Sequence, residues 1–259
     1  MRLPLSILVA GGMLGVTVGA AGLMAGSAQQ GTRGTIKGHI KLSGHLPGNP
    51  VIRMRMDPKC AQANAGKQVV QETVVAALDG SLANVFVRLT GTLPQTPIPA
   101  VPVVIDQRAC VYRPRVVGLR AGQVLQVKNS DDLLHNVHGL SAKGNSFNVS
   151  EPKAGMVQQF RLKSEEVMLQ IKCDVHSWMT TYVGVVTNPY FAVSSERGTF
   201  DIADVPPGSY TLEAWHERYG VMKQSVRVRA GAATTVDFVY SGDEKPPGAN
   251  SAQGSRPGA

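Results

Sequence analysis

The chain has 259 residues, 43% apolar, 17% charged and 5% aromatic, with 28 Gly and 16 Pro. Gly and Pro at this density break helices, which excludes a coiled coil or helical bundle and fits an all-β chain rich in turns. The formal charge is +8, but no stretch combines clustered Lys and Arg with interleaved aromatics, so nucleic acid is not an expected partner.

Residues 1–28 read as a secretory signal. Arg2 is the positive start, Leu3 to Met24 is uncharged, and Gly26-Ser27-Ala28 places small residues before a cut near Gln29. The same uncharged run is long enough to serve as an uncleaved anchor instead. Both readings put the body of the protein outside the cytoplasm, periplasmic or extracellular, where disulfides persist.

Alternation of apolar and polar residues with period two then recurs. It predicts strands over Thr35–Leu42, Val85–Leu89, Gln123–Lys128, Met156–Leu162, Val167–Cys173 and Tyr182–Thr187. It continues over Thr199–Ile202, Tyr210–Trp215, Ser225–Arg229 and Thr234–Tyr240. Leu46-Pro47-Gly48, Ala121-Gly122, Pro206-Pro207-Gly208 and Ala230-Gly231 supply turns. This spacing predicts β-sandwiches. Cys60–Leu78 has room for a short helix, although its paired valines weaken one. Residues 241–259, rich in Pro, Gly, Ser and Ala, are expected to be a disordered tail.

Chemistry concentrates in Lys172-Cys173-Asp174-Val175-His176-Ser177-Trp178-Met179, a Cys-x2-His-x2-Met spacing between two strands. Upstream, a strand runs into Asn129-Ser130-Asp131, followed by His135-Asn136-Val137-His138. A thiolate, two imidazoles and a thioether form the donor set of a blue copper site; soft sulfur and imidazole suit copper in both oxidation states. Zinc is the alternative for a Cys-His-His set. The bland readings are a structural Cys, a core Met and surface His residues. His138 is either such a surface residue or a ligand in place of His135.

Over about residues 100–187 the chain resembles the cupredoxins. The Cys173–Met179 loop is similar in length to that of amicyanin, though Asp174, Val175 and Ser177 depart from that loop's pattern. Asn129-Ser130-Asp131 with His135-Asn136 is similar to the first-ligand region of plastocyanin. The resemblance implies a Greek-key β-sandwich with copper as cofactor and His135, Cys173, His176 and Met179 as ligands. It implies that Asn136 pins the ligand loop by hydrogen bonding. His176 is then expected nearest the exposed end, with Trp178 beside it as an apolar docking contact.

The three cysteines fit this if Cys60 pairs with Cys110, leaving Cys173 free to ligate; three unpaired cysteines are the alternative. The stretch Gly198–Trp215, with its Pro-Pro-Gly turn, resembles the carboxypeptidase regulatory-like, or transthyretin-like, β-sandwich. The first strands of such a module look like Gly34–Ile40 and Asn84–Leu89, which lie before the cupredoxin-like stretch. The expected fold is therefore all-β, with a cupredoxin-like domain over residues 100–187 inserted in, or beside, a discontinuous sandwich of residues 31–99 plus 188–240. Three consecutive units are the simpler rival.

His216-Glu217, His39 and His45 read as surface residues. There is no nucleophile turn, phosphate loop or recognisable carboxylate pair, so no enzyme activity is expected. The leading expectation is single-electron transfer with a redox protein partner. A non-redox envelope binding or scaffold protein, with an envelope or polysaccharide contact, is the rival.

Overall fold

The computed structural model describes residues 32–244; the signal reading of residues 1–28 and most of the tail reading lie outside the described residues. The chain begins with β1 (Gly34–Leu42), a 3-10 turn (Met54–Met56), α1 (Pro58–Ala63) and β2 (Phe86–Thr90). There follow β3 (Val103–Arg108), β4 (Val111–Arg113), β5 (Val116–Arg120), β6 (Val124–Asn129), β7 (His135–Leu140) and β8 (Phe147–Glu151). Next come β9 (Val157–Arg161), β10 (Glu166–Lys172), β11 (Thr180–Val186), β12 (Phe191–Val193) and β13 (Thr199–Val205). The described chain closes with β14 (Gly208–His216), β15 (Gly220–Val228), β16 (Ala233–Thr235) and β17 (Phe238–Tyr240). The fold is all-β, as the turn density and alternation predict.

The strands form two sandwiches. In one, β1 lies between β13 and the β16–β17 edge, facing a sheet ordered β12-β2-β14-β15. The alternation of β1 buries Ile36, Ile40 and Leu42, which pack with Leu89, Leu212 and Phe238. Strands before and after residues 103–186 thus share the same sheets, through Lys37 opposite Asp201 and Val87 opposite Ala214. In the other sandwich, the sheet β5-β11-β10-β7-β8 faces β4-β3-β6-β9. Its core holds Ile105, Leu119, Leu125, Val137, Ile171 and Val183.

Residues 51–71 follow β1 in sequence but pack on the second core, where Met54 and Cys60 are buried and Ile52 and Val69 lean against it. A Cys60–Cys110 disulfide fastens them there and leaves Cys173 as a free, buried thiol. The short helix sits at Pro58–Ala63, started by the Asp57 side chain accepting from the Cys60 amide at 3.0 Å.

The sandwiches meet at a seam. Phe86 of β2 lies over Gly118 of β5 and Gly184 of β11, where an added Cβ would come within 2.7 Å and 2.4 Å of its ring. These glycines make the notch that admits the aromatic. Gly184→Val is therefore expected to lower stability by roughly 1–3 kcal/mol through overpacking, measured by urea unfolding. Nearby, Arg115 pairs with Glu217 through two hydrogen bonds of 2.8 and 2.6 Å, with both side chains almost fully buried.

That pair corrects the surface reading of His216-Glu217. His216 is only 1% exposed, stacked on Tyr219 at 4.8 Å. The Gly220 turn brings β15 back over it, which the local sequence at a strand end does not convey. His39 is half-buried and held by Ser81 and Arg197, whereas His45 is exposed.

Candidate metal centre

Three of the four sequence-chosen residues converge at one end of the second sandwich. His135 starts β7, Cys173 follows β10, and His176 lies in the loop leading to β11. The His135, Cys173 and His176 donor atoms lie within 4.8 Å of one another and all three residues are buried. His135 Nδ1 is 3.1 Å from His176 Nδ1, and Cys173 Sγ is 3.8 Å from His176 Nδ1.

The loop is closed at both ends. Cys173 N donates to Met179 O at 3.1 Å, and Met179 N donates to His176 O at 2.9 Å. The His176 amide also points at Cys173 Sγ, 3.4 Å away. Met179 is 1% exposed and shares the core cluster of Cys173. Asn136 ties the loop to β7: its Oδ1 accepts from Asp174 N at 3.2 Å, and its Nδ2 donates to Asn148 Oδ1 at 2.6 Å. His138 faces outward, where its Nδ1 meets Asp174 Oδ2 at 2.9 Å, apart from the Cys173 cluster.

The outer nitrogens of the two imidazoles are also held. His135 Nε2 meets Asp131 Oδ2 at 2.9 Å, and His176 Nε2 meets Asp57 Oδ2 at 3.0 Å. Each carboxylate is fixed by a half-cystine: Asp131 accepts from Cys110 N at 2.8 Å, and Asp57 from Cys60 N at 3.0 Å. One disulfide thereby positions both carboxylates, which in turn fix both rings with Nδ1 pointing inward. Carboxylates on the far nitrogen of a ligating imidazole set its tautomer and raise its basicity.

The electrostatics follow from these contacts. Burial works against charge on His135, but Asp131 and Cys173 outweigh it and lift its pKa to about 9. Burial works against the Cys173 thiolate too, yet hydrogen bonds led by His135 and the His176 amide bring it down to about 7. Asp57 is held below the usual carboxylate range, first by the Cys60 amide and then by His176. The pocket thus favours a thiolate, the ionised state that a metal requires.

The donors fit a first-row metal ion. Bonds of about 2.05 Å to nitrogen and 2.3 Å to sulfur at tetrahedral angles separate two nitrogens by about 3.3 Å and a nitrogen from sulfur by about 3.6 Å. The two spacings found, 3.1 and 3.8 Å, lie close to these values. His135, Cys173 and His176 would hold such an ion, with Met179 the fourth donor that the resemblance implies.

The site's surface is more closed than expected. His176, at 2% the most exposed of the four residues, is covered on its outer edge by Asp57 and Cys60; Cys60 Sγ is 3.6 Å from His176 Nε2. Trp178 is turned inward, its Nε1 donating to Cys110 O at 2.9 Å. Sequence reasoning missed Asp57 and the role of Asp131. For Asp131 the signal was its spacing of four from His135; for Asp57, 119 residues from His176, only the helix-start pattern Asp57-Pro58 marked it locally.

A family model described as polysaccharide lyase family 4, domain II, matches residues 166–236. No curated protein matches. Among solved structures, a purple cupredoxin from Nitrosopumilus maritimus is 20% identical, over 32% of this chain and 97% of its own, with a TM-score of 0.28. An oxidised amicyanin variant is 19% identical, over 32% of this chain and 81% of its own, with a TM-score of 0.29. A copper-containing nitrite reductase from Thermus scotoductus is 14% identical, over 37% of this chain, with a TM-score of 0.31. The match spans 24% of that reductase chain.

Proposed function

We propose that this protein is an exported copper protein that carries single electrons between redox partners. The observation that carries the reading is the buried meeting of two Nδ1 atoms and one thiolate-prone sulfur, with both outer nitrogens held by carboxylates. Two imidazoles and a thiolate suit copper in both oxidation states, and the bound ion would supply the one-electron couple. The protein's own part is to keep the donors in place through a change of charge. The closed Cys173–Met179 loop, Asn136 and the two Asp–His pairs oppose movement of every donor. Burial keeps water from the ion. The disulfide supports placement outside the cytoplasm.

The test is copper loading followed by redox titration. The expected result is a single tightly held copper per chain and one reversible one-electron wave. Copper that fails to bind the protein with Cys173 reduced, or a bound copper that does not cycle, contradicts the reading.

A second reading is a non-redox envelope scaffold whose copper is stored or delivered. It is favoured by the lyase-module match, which runs from β10 through most of the first sandwich. Tight copper binding without reversible cycling is the outcome that selects it.

A further inference from the structure

We propose that residues 51–71 form the docking face through which this site exchanges electrons, and that the partner is an acidic redox protein. The inference rests on the electron-carrier reading above. Electron transfer falls steeply with distance, so a partner must sit where the donors come closest to solvent. His135, Cys173 and His176 are themselves at most 2% exposed. The outer edge of His135 is covered by Asp131, whose side chain is only 10% exposed. The outer edge of His176 is covered by Asp57, which is 28% exposed and adjoins Met56, 94% exposed. Asp57 thus links His176 to the surface through a direct hydrogen bond, whereas Asp131 over His135 is itself nearly buried.

That surface has the make-up of an interface. Met56 and the half-exposed Val51 give apolar contact within the same segment as several basic side chains. Residues 51–71 contain Arg53, Arg55, Lys59 and Lys67 against one acid, Asp57, which is turned toward His176. Arg53, Arg55 and Lys67 line one shallow groove with Asn64. Lys59 meets Asp132 on the rim at 3.4 Å. A segment that combines exposed apolar side chains with an excess of basic ones fits a partner of opposite charge and steers its approach. The Cys60–Cys110 bond fixes this segment to the sandwich, so the face is presented rigidly.

Stopped-flow oxidation of the reduced copper protein by anionic hexacyanoferrate(III) and by cationic tris(phenanthroline)cobalt(III) tests this without a known partner. The triple variant Arg53→Glu, Arg55→Glu, Lys59→Glu is compared with Lys223→Glu, Arg227→Glu, Arg229→Glu, an equal charge change at exposed residues of β15 and its end. The first set is expected to slow the anionic reagent at least about tenfold and to speed the cationic one, while the second set changes either rate less than about twofold. Equal effects of the two sets, or none from the first, overturn the proposal. Visible absorption and reversible cycling of the parent protein report separately on the copper reading itself.

Discussion

Replacing Cys60 and Cys110 together by Ser is expected to lower stability by about 4 kcal/mol, the chain-entropy value for a closed loop of this size. The bridge spans 50 residues, and it fixes residues 51–71 on a core to which they contribute Met54 and Cys60. The effect reaches the site as well. Asp57 and Asp131 take their positions from the amides of Cys60 and Cys110, so freeing the bridge loosens both carboxylates that hold the imidazoles. Urea unfolding of the metal-free double variant measures the first effect, and copper affinity measures the second. An unchanged midpoint and unchanged affinity would remove the disulfide from the account of both. Metal-free comparison matters because a bound ion adds its own stabilisation by mass action.

Acidification should cost the protein about 3 kcal/mol between pH 6.5 and 4, owing to one buried imidazole outside the candidate metal site. Burial first, then the nearby Arg218 and Arg115, push the His216 pKa down from 6.5 to about 4. The sign follows from where each state takes up its proton. Above pH 6.5 the ring is neutral in the folded and unfolded chains alike. Below it the unfolded chain gains a proton and the folded chain does not, so stability falls until about pH 4, where the folded ring is protonated too. The ring has no room to relieve this: Nδ1 accepts from Arg218 N at 3.1 Å, Nε2 has no partner among the described residues, Tyr219 stacks on the ring and Tyr240 packs beside it. His216→Phe should flatten the stability profile across this window while keeping the packing. The raised pKa of His135 acts in the separate window above pH 6.5, where its contribution is lost as pH climbs toward 9. A wild-type and His216→Phe pair with identical slopes between pH 4 and 6.5 would contradict the prediction.

Much of this was legible in the sequence because the responsible signals are local. Ile36, Ile40 and Leu42 alternate and are buried as the alternation demands, and the Cys173–Met179 spacing marks a loop that the structure closes on itself. Among the strands that escaped, three bury polar side chains. β3 buries Gln107, β5 buries Arg120, and β7 buries His135 and Asn136, so none reads as apolar-polar alternation. Their buried polar groups find partners only after folding: Gln107 on Glu151, Arg120 on Thr96, and Asn136 on Asn148. β8, Phe-Asn-Val-Ser-Glu, does alternate, but it is short and ends on an inward Glu151 that faces Gln107 from a position opposite His135.

The covering of His176 was illegible for a different reason. Asp57 and Cys60 lie over 110 residues upstream, within a stretch whose composition gives no hint of which core it joins. Only the disulfide and the burial of Met54 decide that. The shielded His176 is also where the chain departs most from what the cupredoxin resemblance implied. β7 and the Cys173–Met179 loop bring His135, Cys173 and His176 together, but the outer edge of His176 is roofed by a charged segment from outside that stretch.

On the proposed reading, Cys173, with His135 and His176, makes a copper site whose thiolate would be bonded to the ion. The visible absorption spectrum of the copper(II)-loaded protein beside that of Cys173→Ser tests it most directly. Cys173 is buried and unpaired by disulfide, so serine changes the donor atom with little change of shape. An intense thiolate-to-copper charge-transfer band is expected in the parent protein, with its complete loss in the serine variant. A loaded parent protein without that band, or a band that survives Cys173→Ser, would contradict it.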